Sequence, residues 1–346
     1  MLLEGLFVPL TTPFYPNGRL YLRKLEHNVD RYSRTPAAGL AVLSETGEPS
    51  LLSDDETREA LRTAISAASE TKVMLAGVSR DSVKGTLDLL DVAAGLNYDA
   101  VLVKQPSLLG ASSLRETYTY YRTVADRAAI PVVLYSTQAA PLTVEAIAEL
   151  AGHPQIIGLA DETLTAQRCE KVLKATAQVK REVTVTSVFA AVTTRMTAAK
   201  EIAADATIVT LDRLAGASVD TAPPMAAIKT RTKTVGFQVL AARTKEMMDA
   251  LKAGCSGVMP ALAAAAPQAC FEVLAVWNDS DPALAEKKSE RLSSAISAVE
   301  ERLGVPGIRY ASDLNGYFGG IPRLPRLSLT ADERKAVETA MQGMRS

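Results

Sequence analysis

The stretch 131–162, PVVLYSTQAAPLTVEAIAELAGHPQIIGLADE, decides the fold. Pro131–Tyr135 and Ile156–Leu159 are apolar runs of strand length, bounded by turn residues. Between them, Val144–Ala151 sets apolar residues three and four apart, and Thr143-Val144-Glu145 offers a hydroxyl and a carboxylate to the unpaired N–H groups of a helix start. Two such strands flanking one helix lie parallel, with the helix as a right-handed crossover.

Working outward, the same unit recurs. Leu6–Pro9, Gly39–Leu43, Val73–Ala76 and Ala100–Val103 read as strands, and Arg23–Tyr32, Asp54–Ser69, Ser82–Ala94 and Ser113–Ala128 carry the helical period. Ser53-Asp54-Asp55-Glu56 marks one helix start plainly. Two later strands, near Val235–Leu240 and Gly257–Met259, bring the count of units to eight. Eight units close an α/β (β/α)8 TIM barrel. An open doubly wound sheet is the competitor, but the first strand-to-helix turn, Thr11-Thr12-Pro13-Phe14, lacks the glycine-rich phosphate loop of dinucleotide folds.

The rhythm breaks over about 180–234, an insertion between helix 6 and strand 7. Within it Arg181–Phe189 alternates like a strand, while Ala215–Pro224 and the Lys229–Lys233 charge cluster read as loop. Because it joins a helix to the next strand, it belongs on the barrel face away from the chemistry, where an assembly or stability role is expected. Residues 1–280 thus form the barrel and 281–346 a C-terminal helical region. There Ala283–Leu303 reads as one long amphipathic helix, broken by Gly304-Val305-Pro306-Gly307 before two further helical segments.

The bulk composition narrows the function. The 346 residues are 47% hydrophobic, with 38 basic and 39 acidic side chains for a net charge of −1, so there is no basic excess for nucleic acid or anionic membrane and a small-molecule partner is expected. No apolar run approaches the roughly 20 residues that span a bilayer, and Met1–Thr12 reads as a strand rather than a secretion signal. A cytoplasmic protein is expected. Cys169, Cys255 and Cys270 have no metal-type spacing and read as small core residues.

In barrels of this kind the chemistry sits at the C-terminal strand ends. After the second strand stands Ser44-Glu45-Thr46-Gly47-Glu48, which resembles the Gly-Ser/Thr-Thr-Gly-Glu turn of the dihydrodipicolinate synthase and N-acetylneuraminate lyase family. Further segments resemble that family in order: Val8-Pro9-Leu10-Thr11-Thr12-Pro13-Phe14 with Asn17-Gly18, Ala76-Gly77, Pro131-Val132-Val133-Leu134-Tyr135, Ile156-Ile157-Gly158-Leu159 and Ala253-Gly254-Cys255-Ser256-Gly257-Val258. The resemblance implies a lyase barrel that binds a keto acid through that turn. It also implies a homo-oligomer, dimer or tetramer, and no cofactor. Tyr135 matches the family's proton-relaying tyrosine, and Thr46 the threonine that links it to a neighbouring subunit's tyrosine.

The departures fall in one pocket. The family's Schiff-base lysine would follow Gly158-Leu159, where this chain has Ala160-Asp161-Glu162. Glu45 replaces a small hydroxyl residue, and an anion there repels a bound carboxylate unless one is protonated or paired. The carboxylate-binding arginine would fall near Ala139-Ala140, the neighbouring tyrosine near Ser107-Leu108, and the glycine of strand seven near Ala242, beside Arg243.

Lysine-imine chemistry is therefore expected to be altered or lost. Tyr135, Thr46 and Lys104, at the catalytic end of strand four, are the candidate catalytic residues. Glu45, Gly47, Ala160, Asp161, Arg243 and Met259 are the candidate binding set for a small oxo-acid or sugar-acid ligand. The alternative is a non-catalytic ligand-binding or assembly paralogue. A metal route finds few ligands: His27 and His153 lie away from the catalytic face, leaving Glu45, Glu48, Asp161 and Glu162 as oxygen donors, and no metal is expected. Glu48 is expected to cap the following helix, and Glu45 or Asp161 to pair with Arg243, or with Lys104.

Overall fold

In the computed structural model, which describes residues 1–109, 114–198 and 229–344, ten strands can be followed in chain order. They are β1 (Gly5–Pro9), β2 (Gly39–Val42), β3 (Val73–Gly77), β4 (Ala100–Lys104), β5 (Val132–Ser136), β6 (Ile156–Asp161), β7 (Arg181–Thr186), β8 (Thr230–Val235), β9 (Gln238–Ala241) and β10 (Gly257–Val258). Eight of them form a closed barrel in the order β1-β10-β9-β6-β5-β4-β3-β2, every pair parallel. Helices cross back between strands, as the alternation of patterns requires.

Alternate strand residues point to opposite faces. One set (Phe7, Ala41, Leu75, Leu102, Val133, Tyr135, Ala160, Leu240 and Met259 among them) fills the barrel. The other set (Leu6, Val8, Leu40, Met74, Val103, Leu134, Leu159 and Val239 among them) packs against the helices as a second, larger core. The helix Asp54–Ala67 begins on a complete capping box, in which Ser53 Oγ accepts from the Glu56 N–H and the Glu56 carboxylate accepts from the Ser53 N–H. Ser53→Ala is expected to cost about 1 kcal/mol, read as a lower urea midpoint with an unchanged slope; an unmoved midpoint would count against that role.

The described ends of the insertion pair as an antiparallel ribbon of β7 and β8 at the N-terminal mouth of the barrel. Val183, Val185 and Val235 pack on Leu2, the Lys233 ammonium reaches Glu4 at 2.5 Å, and the Arg181 guanidinium donates to the carbonyls of Ala151, His153 and Ile156 at the start of β6.

Several sequence expectations need correcting. Lys229–Lys233, read as loop, contributes to β8: threonines 230, 232 and 234 alternate with Arg231 and Lys233, a pattern suited to an exposed strand. Val235 accordingly ends the ribbon, and the seventh barrel strand starts at Gln238. Ala215–Pro224 lies outside the described residues. The long helix expected over Ala283–Leu303 is instead a helix over Pro282–Glu290, a short one over Ser293–Ala295 and a π-turn over Ile296–Glu301. Gly304-Val305-Pro306-Gly307 begins a helix, Gly304–Leu314, because proline is tolerated in a first turn, where its missing N–H has no intrahelical partner to lose.

Candidate active site at the C-terminal mouth of the barrel

The turn after β2 is shaped by backbone rather than by side chains. Leu43 and Glu48, at its two ends, both hold positive φ, 59° and 54°, a conformation costly for residues with a Cβ and often found where a site demands it. Gly77, ending β3, makes room for it: a Cβ there would stand 1.9 Å from the Leu43 carbonyl oxygen. Gly47 is buried, and its carbonyl accepts from Thr12 Oγ1 at 2.6 Å, so it shapes the turn without lining the cleft.

Above the turn is a cleft of about 190 Å³. Its walls include Glu45, Thr46, Tyr135, Gln138, Glu162, Arg243, Met259, Glu300 and Glu301. A hollow of about 530 Å³ beneath the ribbon is larger, but it gathers no comparable set of acid–base groups.

Strand register explains who meets whom. Lys104, Tyr135, Ala160 and Leu240 are successive neighbours across β4, β5, β6 and β9, so their side chains share the inner face. Ala160 is fully buried beside Tyr135. The Tyr135 hydroxyl donates to Glu162 Oε1 at 2.6 Å, and the Gln138 N–H donates to Glu162 Oε2 at 3.0 Å. Burial, with the Glu162 and Glu45 carboxylates adding to it, pushes the Tyr135 hydroxyl well above its ordinary range. Burial likewise holds Glu162 above the ordinary carboxylate range, despite the hydrogen bonds from Tyr135 and Gln138.

Lys104 Nζ donates to Glu45 Oε1 at 2.7 Å, which fits one expectation for Glu45 and leaves Lys104 paired. Arg243 does not pair with Glu45 or Asp161 as expected. It faces the C-terminal cap, with Glu301 at 3.5 Å and Glu300 at 3.8 Å. Glu300 Oε1 also accepts from the Thr244 N–H at 3.1 Å, while its Oε2 is buried without a hydrogen-bond partner among the described residues. Burial raises this acid too.

One residue of the candidate binding set, Asp161, and the expected helix cap, Glu48, stand elsewhere. Asp161 follows Ala160 and therefore points outward, where it accepts from Arg168 Nε at 2.6 Å and from both Thr163 groups; it does not enter the cleft. Glu48 does not cap the next helix. It is buried against Arg309, whose Nε lies 2.9 Å from Glu48 Oε2, and Arg326 Nε approaches its other oxygen at 2.7 Å. Thr46 lines the cleft beside Tyr135, although the Tyr135 proton goes to Glu162. Among the described residues no group of three or more His, Cys, Asp or Glu side chains is placed to hold a metal ion. None of the helices described is long and apolar enough to cross a membrane.

Sequence reasoning passed over Glu162, Gln138 and Glu300 as binding residues. Glu162 was within reach of it, since residues two apart share a strand face and 162 follows 160 on the inner side. Glu300 was not, because it reaches the cleft from a cap helix through tertiary packing.

Comparison with known proteins agrees with this architecture. The chain is 33% identical over 162 residues to a 4-hydroxy-tetrahydrodipicolinate synthase of Xanthomonas axonopodis pv. citri, covering 46% of this chain and 53% of that protein. This chain therefore spans about half the length of that relative; against the enzyme of the same name from Acidiphilium cryptum, identity is 23% over 99% of this chain and 98% of that one. Among solved structures, YagE from E. coli K12, a prophage protein of the dihydrodipicolinic acid synthase family in complex with pyruvate, superposes with a TM-score of 0.77 at 20% identity, over 99% of both chains. The profile of the Dihydrodipicolinate synthetase family matches residues 2–197, more than half of the 346, and with the closed barrel and the site at its C-terminal mouth, this chain belongs to that family.

Proposed function

We propose that the protein holds a small oxo-acid or sugar-acid-type ligand in the cleft without covalent attachment, and that any chemistry there proceeds by proton transfer rather than through a lysine imine. The observation that carries this reading is the alanine at 160, buried beside Tyr135 on the inner face, with Lys104, its inner-face neighbour on β4, tied to Glu45 at 2.7 Å. An imine needs an amine lone pair free to attack the carbonyl, and Lys104 Nζ is instead engaged by the Glu45 carboxylate.

An anionic ligand in a cleft with four carboxyl groups needs relief from repulsion. Arg243 supplies part of it: its pairs with Glu300 and Glu301 are long, so its donors are available to a ligand carboxylate. Burial adds to this, because it shifts Glu300 toward its neutral form. That YagE carries pyruvate makes pyruvate the first ligand to try.

Incubation with pyruvate and borohydride, followed by intact mass measurement, is expected to leave the protein unmodified, whereas titration calorimetry with pyruvate is expected to give heat of binding. An adduct on Lys104 would overturn the non-covalent reading. Silence across a panel of oxo acids and sugar acids would overturn the ligand class. A second reading, a non-catalytic ligand-binding paralogue, is favoured by the same alanine and predicts binding with no proton exchange.

A further inference from the structure

We infer that Glu162 is the general base of this site and that, acting with Tyr135, it enolises a bound oxo acid. The inference rests on the reading above that an oxo acid is the ligand. Of the carboxyl groups lining the cleft, Glu45 is engaged by Lys104, Glu301 by Arg243 and Lys245, and Glu300 by Thr244 with Arg243 close by. Glu162 alone among them is joined to a hydroxyl that can carry a proton onward, at 2.6 Å. The Gln138 N–H fixes its other oxygen at 3.0 Å, which sets the plane of the carboxylate. Each carboxylate oxygen keeps a further lone pair for a ligand proton.

The step balances as follows. A Glu162 oxygen takes a proton from the carbon next to the ligand carbonyl, and the C–H electron pair becomes the C=C bond of the enol. The carbonyl π pair moves to its oxygen, which takes the Tyr135 hydroxyl proton. The protonated Glu162 then returns a proton to the tyrosinate along their hydrogen bond. The protein ends as it began, and the ligand has gone from keto to enol. Arg243, which lines the same cleft, meets the ligand carboxylate and the charge that grows on the oxygen. The environment suits the base: burial and the Glu45 carboxylate raise Glu162, while Tyr135, the Gln138 N–H and Arg243 oppose this, and the net shift is upward, toward the operating pH that favours a general base. Glu162 is half-buried, so the captured proton exchanges with solvent.

The test is deuterium uptake into the methyl group of pyruvate in D2O, followed by proton NMR, with binding measured in parallel by calorimetry. The wild-type protein is expected to exceed the protein-free rate, with uptake rising with pH as Glu162 ionises, above the range of an ordinary glutamate. Glu162→Gln, which keeps the shape, is expected to fall to the protein-free rate, and Tyr135→Phe to lose about 100-fold. Should either variant melt early, the wild-type pH profile still decides: uptake that is flat across pH, or that equals the blank, overturns the inference. Pyruvate bound without exchange overturns it and leaves the ligand reading standing. No heat of binding and no exchange overturn both. Glu162→Gln exchanging as fast as wild type also overturns it.

Discussion

Glu48→Ala is expected to lower the unfolding free energy by about 3–5 kcal/mol, the range for removing one partner of a buried ion pair. Arg309 is 1% exposed and Glu48 2%. Without Glu48 the guanidinium keeps, among the described residues, the Gly319 carbonyl at 2.6 Å, the face of Phe14 at 5.1 Å and the field of the Asp313 carboxylate beyond ion-pair contact, too little for a desolvated cation. Arg326 approaches the same carboxylate but is half-exposed, 49%, so Arg326→Ala should cost about 1 kcal/mol or less. The double replacement Glu48→Leu with Arg309→Met should recover most of the loss, since apolar side chains of similar size are often no worse than a buried pair. Urea unfolding of the four proteins reads all of this. A Glu48→Ala protein within about 1 kcal/mol of wild type, or a double variant as unstable as Glu48→Ala, would sink the account. The pair has a further consequence for the site: it anchors the Glu45-Thr46-Gly47 turn, through Glu48 at its end, to the helix Gly304–Leu314, whose first residues line the cleft.

The barrel was legible because strand and helix periods differ so sharply. A run such as Val132–Ser136 followed by Val144–Ala151 has one sensible geometry, and eight repeats have one closure. The ribbon was half legible: Arg181–Thr186 alternates visibly, whereas its partner hides the same alternation behind arginine and lysine. The site was legible where it follows from strand register. Tyr135 and Ala160 stand side by side, and Asp161 turns outward for the same reason that Ala160 turns inward. Least legible is the electrostatics, of which the Lys104–Glu45 pair alone was among the expected alternatives. Which carboxylate meets which cation depends on the turn after β2 and on the cap, and these put Lys104 on Glu45, Arg168 on Asp161 and Arg309 on Glu48, with Arg243 left to the cap acids. Sequence separation carries no information on pairs of this kind.

Ala160→Lys should restore carbonyl trapping only weakly, and Ala160→Lys combined with Glu162→Ala should restore it well. A lysine at 160 begins on the inner face between Tyr135 and Leu240 and extends toward the cleft. Two opposing effects then act on its ammonium. Burial disfavours the charged form and lowers its pKa, while a nearby carboxylate favours the charge and raises it. With Glu162 present, the carboxylate neighbour keeps the amine protonated, and a protonated amine has no lone pair to give. With Glu162 gone, burial dominates and a larger fraction is neutral at pH 7. One pKa unit is a tenfold change in that fraction, so after incubation with pyruvate and borohydride the double variant should carry at least about ten times the adduct of the single one. Intact mass gives the yield, and peptide mapping gives the position. Equal trapping by both variants would show that Glu162 does not control the charge at this position. Trapping by neither would show that the lysine cannot reach a bound carbonyl, and modification at Lys104 instead would mean that the Glu45 pair opens readily enough to release an amine.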